Sequence, residues 1–295
     1  MSSFRPLLAL LALGLAAAPA RAEWSSRAAA GASEWSRGLH ATMRLLDGGP
    51  QDAAGRVYAA GIEIKLDPQF KTYWRTPGDS GLPPEFDWSA SQNVAGVTVL
   101  WPAPYRFEDA AGSSIGYKEH VVLPLSVEAA DPAKPVVLAL KLDYAVCEQI
   151  CIPVKGEAKL ALAKAGLSTP HMAAIAEARK RAPAQHAIGD GPPPTFRSVE
   201  ASGGKALLVS ALVPDTAGVV DIFAEGPDGW VFSAPVPVAA LPHGPGARLV
   251  NYRIPATESP KDGDVSRIPV VLTLTADDAA VETKLTPPAL KAKAK

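Results

Sequence analysis

Cys147 and Cys151 are the only cysteines in a chain of 295 residues, and they stand in the run Leu142-Asp-Tyr-Ala-Val-Cys-Glu-Gln-Ile-Cys-Ile-Pro153. Two thiols at this spacing can exchange electrons as a reversible disulfide, staple the backbone, or hold a soft ion. On a chain-entropy estimate, a bridge closing a loop of about 5 residues stabilises by only about 2 kcal/mol, against about 4.7 kcal/mol for a 100-residue loop. A staple is therefore more useful across distant segments. Pairing at short range also requires the turn to bring the two Cα atoms within about 7 Å, a geometry prone to strain and hence to reduction. The spacing favours redox exchange and leaves the staple and the metal site open.

A Cu(I) site between the two thiolates would need a third ligand, with His40, His120, His171, His186, His243, Met43 and Met172 as the mature chain's candidates. Zinc fits less well, because four-ligand structural sites show a second Cys or His pair at short spacing. We assign no metal and expect no cofactor. There is no Gly-x-Ser-x-Gly elbow, His-Glu-x-x-His or Walker-type phosphate loop. Gly112-Ser-Ser-Ile-Gly116 reads as a turn, since no helix follows it.

Cys147 lies at the end of a strand-like run, and Pro153, lacking an N–H, makes central pairing beyond Cys151 unexpected. The pair should sit where a strand passes into a tight loop or hairpin. From Trp35 to about Ala163, short β-type runs alternate with turn residues: 40–46, 57–66, 94–101, 121–127, 136–144 and 157–162. Ile62, Ile64 and Leu66 should face one way, and Glu63 and Lys65 the other. Pro and Gly in the turns, with no helical crossovers, predict an all-β immunoglobulin-like β-sandwich. A short helix is expected after Ser168-Thr169-Pro170, with Ala173 to Arg181 as helix formers and an end by Pro183. Gly189-Asp-Gly-Pro-Pro-Pro194 then reads as a stiff linker. Runs at 206–213, 218–224, 230–238, 248–254 and 268–275 predict a second, smaller β-sandwich domain.

Arg5, the apolar Leu7 to Ala18 and the small-x-small pattern Ala20-Arg21-Ala22 predict a signal peptide cleaved after Ala22. The apolar run is about 12 residues, too short to span a bilayer, so the mature chain is expected to be soluble and exported. In an oxidising compartment the cysteines tend to pair. Lys+Arg 29 against Asp+Glu 30, with no basic tract, excludes nucleic acid as an expected partner. The expected division is 1–22 signal peptide, 23–165 first sandwich, 166–194 helix and linker, and 195–288 second sandwich.

Tyr144-x2-Cys147-x3-Cys151-Ile-Pro153, with Gly112-x4-Tyr117-x6-Pro124, Tyr73-Trp-Arg-Thr-Pro-Gly-Asp-Ser-Gly81 and Trp101-Pro102, resembles the N-terminal periplasmic domain of the thiol:disulfide interchange protein DsbD. The likeness is closer to ScsB-type members, linked to suppression of copper sensitivity, and covers roughly residues 35 to 165, extending more loosely over the second β domain. It implies an immunoglobulin-like domain whose cysteine pair takes electrons from a thioredoxin-like domain or membrane thiol reductase. It then passes them to periplasmic protein disulfides. Cys147 and Cys151 are then the catalytic pair, with Cys151 bonding the thioredoxin-like partner and Cys147 resolving.

The family also places a cap loop over the cysteines, which alignment on Gly112 and Tyr117 puts at 107–111. Phe107, Glu108 and Asp109 match it, with Tyr144 and Glu148 beside the pair. Two departures stand out: the cap aromatic falls on Ala110, with Phe107 or Tyr105 as substitutes, and three residues separate the cysteines, where DsbD itself has more. Glu108, Asp109 and Glu148 are expected to raise a thiol pKa if close. Family members continue into a transmembrane conduit and a thioredoxin domain, so this chain is expected to be a free-standing periplasmic module that borrows its reductant. The alternatives are a Cu(I)-binding or copper-tolerance module and a non-redox adaptor with a structural disulfide.

Overall fold

With the two-residue period of a strand, Ile62 and Ile64 of the run 57–66 enter a shared core, while Ala59 and Glu63 are buried on the opposite face. The same logic repeats through the first half of the computed structural model, which describes residues 31–79, 81–109, 112–163, 170–242 and 244–290. The expected signal peptide and Ser168-Thr169 lie outside the described residues. Eleven strands precede the helix: β1 (Ser36–Gly38), β2 (Ala41–Pro50), β3 (Val57–Leu66), β4 (Lys71–Gly78), β5 (Glu85–Asp87), β6 (Val94–Val99), β7 (Tyr105–Asp109), β8 (Gly112–Lys118), β9 (His120–Ala129), β10 (Val137–Cys147) and β11 (Cys151–Ala161). They form two facing sheets, β1-β2-β3-β9-β6 and β11-β10-β4-β8-β7, with β5 also on β10. Met43, Leu45, Ile62, Leu125, Leu138, Leu140 and Trp74 fill the space between them. This is an all-β, immunoglobulin-like sandwich.

Two local expectations are corrected. Residues 112–116 are not a turn but most of β8, paired with β4 and β7. Gly116 is needed there because a Cβ would lie 1.9 Å from the Thr72 carbonyl oxygen. Its small, polar neighbours Ser113 and Ser114 disguise a buried strand. Pro153 does not end pairing: β11 runs through it, with Ala145 opposite Pro153. The reason is that β11 is an edge strand, where a missing N–H can face away from the sheet.

The helix α1 (Met172–Lys180) follows His171, whose side chain makes no capping bond. Its Ile175 and Ala178 pack on Leu46, Ala59 and Val122, on the outer face of the first sandwich. Nine further strands follow: β12 (Ala184–Gln185), β13 (Thr195–Ser202), β14 (Ala206–Pro214), β15 (Val220–Glu225), β16 (Val231–Phe232), β17 (Val236–Pro242), β18 (Ala247–Glu258), β19 (Val270–Ala276) and β20 (Ala279–Leu285). They build a second pair of sheets, β12-β20-β19-β15 and β13-β14-β18-β16, with β17 on β18. The expected run 230–238 is split into β16 and the start of β17, with Pro235 and Pro237 at the division.

The two halves are joined by packing and charge. Phe223 of β15 enters the first core, with its ring 5.7 Å from that of Trp74. Arg75 bonds Glu225 and Glu282, and Arg106 meets Asp221 at 2.9 Å. These side chains are largely buried, so each charge depends on its partner, and removing one would leave the other buried and uncompensated.

Candidate functional site

Residues on β10 alternate between two faces. Leu138, Leu140, Leu142, Tyr144 and Val146 point into the sandwich, while Ala145 and Cys147 join a separate small cluster with Tyr73 and Cys151 on the other side. Cys147 and Cys151 face each other directly across the β10–β11 hairpin. Antiparallel partners stand about 4.5–5.5 Å apart at Cα, within reach of a disulfide. Both are thiols here, with Sγ atoms 2.9 Å apart. Cys147 is 5% exposed and Cys151 is half-buried. The turn Glu148-Gln149-Ile150 is exposed, Ile150 to 77%.

On the other side of β10 lies the start of β4. Lys71 pairs with Cys147 and also with Lys118 of β8, so Lys118, Lys71, Cys147 and Cys151 form one row across four strands. Paired residues project to the same face. Thr72 ties the strands together, its hydroxyl donating to the Ala145 carbonyl at 2.9 Å. Tyr73 lies over the sulfurs, with Oη 2.8 Å from Cys151 Sγ. Its pKa is driven far above the ordinary tyrosine range, first by burial and then by bonding to the thiols, so it remains a proton donor at neutral pH. Gly81 lets the chain return across Tyr73, since a Cβ there would lie 2.6 Å from the ring. Asp79, in the same turn, exchanges backbone and side-chain bonds with Ser113.

The Cys147 thiol is raised above its ordinary value, first by burial and then by its bond to the Cys151 thiol. The Tyr73 hydroxyl and the Lys71 ammonium pull it back down. Neither Glu108 nor Glu148 is among the causes. Glu148 is exposed on the hairpin turn, and Glu108, exposed on β7, exerts its field on Asp221 instead. The backbone of Asp109 pairs with Gly112; its side chain and Ala110 lie outside what is described.

Phe107 is half-buried on β7, under Lys118 Nζ at 4.6 Å and Lys71 Nζ at 5.8 Å, and so borders the site through the lysines. Tyr105 is exposed and accepts a bond from Arg181. Tyr144 is corrected: it is buried on the opposite face of β10, where desolvation pushes its pKa to about 12. The residues missed as parts of the site are Lys71 and the contact of Tyr73. Only the Tyr73-Trp-Arg motif pointed that way.

As for metal, His40 pairs with Asp67 and His120 with Glu63. Met43 is sealed in the core. Among the described residues, no three His, Cys, Asp or Glu side chains converge into a metal-holding group. Nor, among them, is any helix long and apolar enough to cross a membrane.

Residues 47–163 match the family model described as thiol:disulfide interchange protein DsbD, N-terminal. Among solved structures, the N-terminal periplasmic domain of ScsB from Proteus mirabilis superposes with a TM-score of 0.69 at 21% identity, covering 88% of this chain and 100% of that one. That likeness establishes a shared fold. The N-terminal domain of the Streptococcus gordonii adhesin Sgo0707 aligns at a TM-score of 0.20 and 12% identity over 84% of this chain and 66% of that one, which carries no argument. No curated protein matches.

Proposed function

We propose that this chain is a periplasmic thiol–disulfide exchange module working through Cys147 and Cys151, with the family match of residues 47–163 as the premise. The observation that carries it is the face-to-face pair at 2.9 Å, one sulfur nearly covered and the other accessible. Such a pair can open and close without moving the strands. Cys151, the more exposed, is the sulfur that meets other proteins; Cys147 resolves.

In the reduced state the Cys151 thiolate attacks a client disulfide and expels one client thiolate, giving a mixed disulfide. The Cys147 thiolate then attacks Cys151 Sγ, closing the intramolecular bridge and releasing the second client thiolate. The client gains two electrons and the module loses two. A thioredoxin-like domain or membrane thiol reductase restores the dithiol by the reverse sequence. Tyr73 supplies a hydrogen bond to whichever charge develops on sulfur.

The test is a pair of single substitutions, each incubated with a thioredoxin-like domain that lacks its own resolving cysteine and whose remaining cysteine is activated as a mixed disulfide with a small thiol, the leaving group of the exchange. Cys147→Ser should accumulate a mixed disulfide through Cys151, because nothing resolves it, whereas Cys151→Ser should trap little. Equal trapping by both, or none by either, overturns the assignment.

A further inference from the structure

Burial alone makes Cys147 a poor thiolate, yet in the exchange proposed above it must carry the charge twice. It is the leaving group when a partner opens the bridge at Cys151, and the nucleophile when it resolves a client. We propose that Lys71 is the positioning residue that solves this, holding a buried ammonium beside Cys147 Sγ and so stabilising the thiolate. This rests on the exchange reading, but its electrostatics can be measured without any partner.

The geometry is specific. Lys71 stands directly opposite Cys147 on the neighbouring strand, on the same face, with Cys151 in the same row on the far side. Lys71 is only 5% exposed, unusual for a lysine. Its Nζ donates to Ser114 Oγ at 2.8 Å and lies 5.8 Å from the Phe107 ring centre, so hydroxyl and ring hold the charge in place. The other groups facing Cys147 are Tyr73 from β4 and Cys151 from β11. Lys118 of β8 lies in the same row, one strand beyond Lys71, and Glu148 is exposed on the turn. The lysines, and not the carboxylates, form the charged side of the row.

The chemistry follows the sulfur–sulfur bond. When a partner thiolate bonds to Cys151 Sγ, the S–S electron pair passes to Cys147 Sγ, which departs as a thiolate beside the ammonium. A leaving thiol of lower pKa departs faster. In the reverse half-cycle the same charge raises the thiolate fraction that attacks Cys151 and releases the client. Lys71 neither gains nor loses a proton; it acts through Cys147.

The test uses the full chain with Cys151→Ser, which leaves Cys147 as its only thiol. Alkylation rate and thiolate absorbance are followed against pH. Adding Lys71→Met, which keeps the stem and removes the charge, should move the Cys147 midpoint upward by about one unit or more. Lys71→Arg, retaining the charge, should restore most of the difference. Should Lys71→Met fail to fold, Lys71→Gln gives the same reading with the bond to Ser114 available. A midpoint unmoved in the uncharged variant, or raised equally by the arginine variant, overturns the proposal. The exchange reading fails separately, by the absence of a trapped mixed disulfide with Cys147→Ser.

Discussion

At the level of single residues, the site is a sulfur pair under a tyrosine and beside a lysine. Tyr73 Oη reaches Cys151 Sγ, and its hydroxyl favours the Cys147 thiolate. Tyr73→Phe should therefore raise the Cys147 midpoint, slow alkylation at neutral pH, and cost about 1 kcal/mol of stability for the lost bond. A thiol titration coincident with that of the unsubstituted protein would show that the hydroxyl is only packing. The cysteines were legible in the sequence because of their rarity and spacing. Tyr73 and Lys71 were not, because their distance from Cys147 along the chain becomes contact only through the β4–β10 register. Tyr144 was misplaced for a related reason: it is three residues from Cys147, an odd number, and so points to the other face of its strand.

Among the elements, β4 is the one on which the site depends. It carries Lys71 and Tyr73 toward the sulfurs, Trp74 into the core, and Arg75 and Thr76 toward the second half. Its first four residues are all buried, so no apolar–polar alternation marks it as a strand. Runs of branched apolar residues such as β3 and β9 were readable, although both are buried on both faces along most of their length; β4, β7 and β8 were not. The close approach of β8 to β4 makes Gly116 the sharpest test at this level. Gly116→Ala must push its Cβ against the Thr72 carbonyl, parting the strands at a cost of roughly 3 kcal/mol. Thermal melting should fall accordingly and thiol reactivity should change with it. An unchanged melting curve would mean that β4 and β8 are less tightly paired than the geometry requires.

Over the whole molecule, the two sandwiches are locked by Phe223 against Trp74 and by the buried charges around Arg75 and Arg106. Burial alone would raise the Glu282 carboxyl, but its bonds to Arg75 outweigh that and hold it below its ordinary 4.5. Its contribution is thus complete above pH 4.5 and is lost as the pH falls through the lower folded value. Asp221 runs the other way: burial raises it despite Arg106, so acidification relieves part of its cost. Glu282→Gln should lower stability by about 2 kcal/mol at neutral pH, with the difference closing as the pH falls below 4.5 and through the lower folded value. A deficit independent of pH would assign the loss to packing. The sequence revealed two β units and a helix between them, but not this interface, because its charges lie far apart along the chain.

An exchange module must make and break the bond between Cys147 and Cys151 in use. Equilibration with a redox buffer measures its reduction potential. A working exchange pair should read among the exchange catalysts, between roughly −270 and −120 mV. A potential below about −300 mV, that of an inert structural bridge, would contradict it.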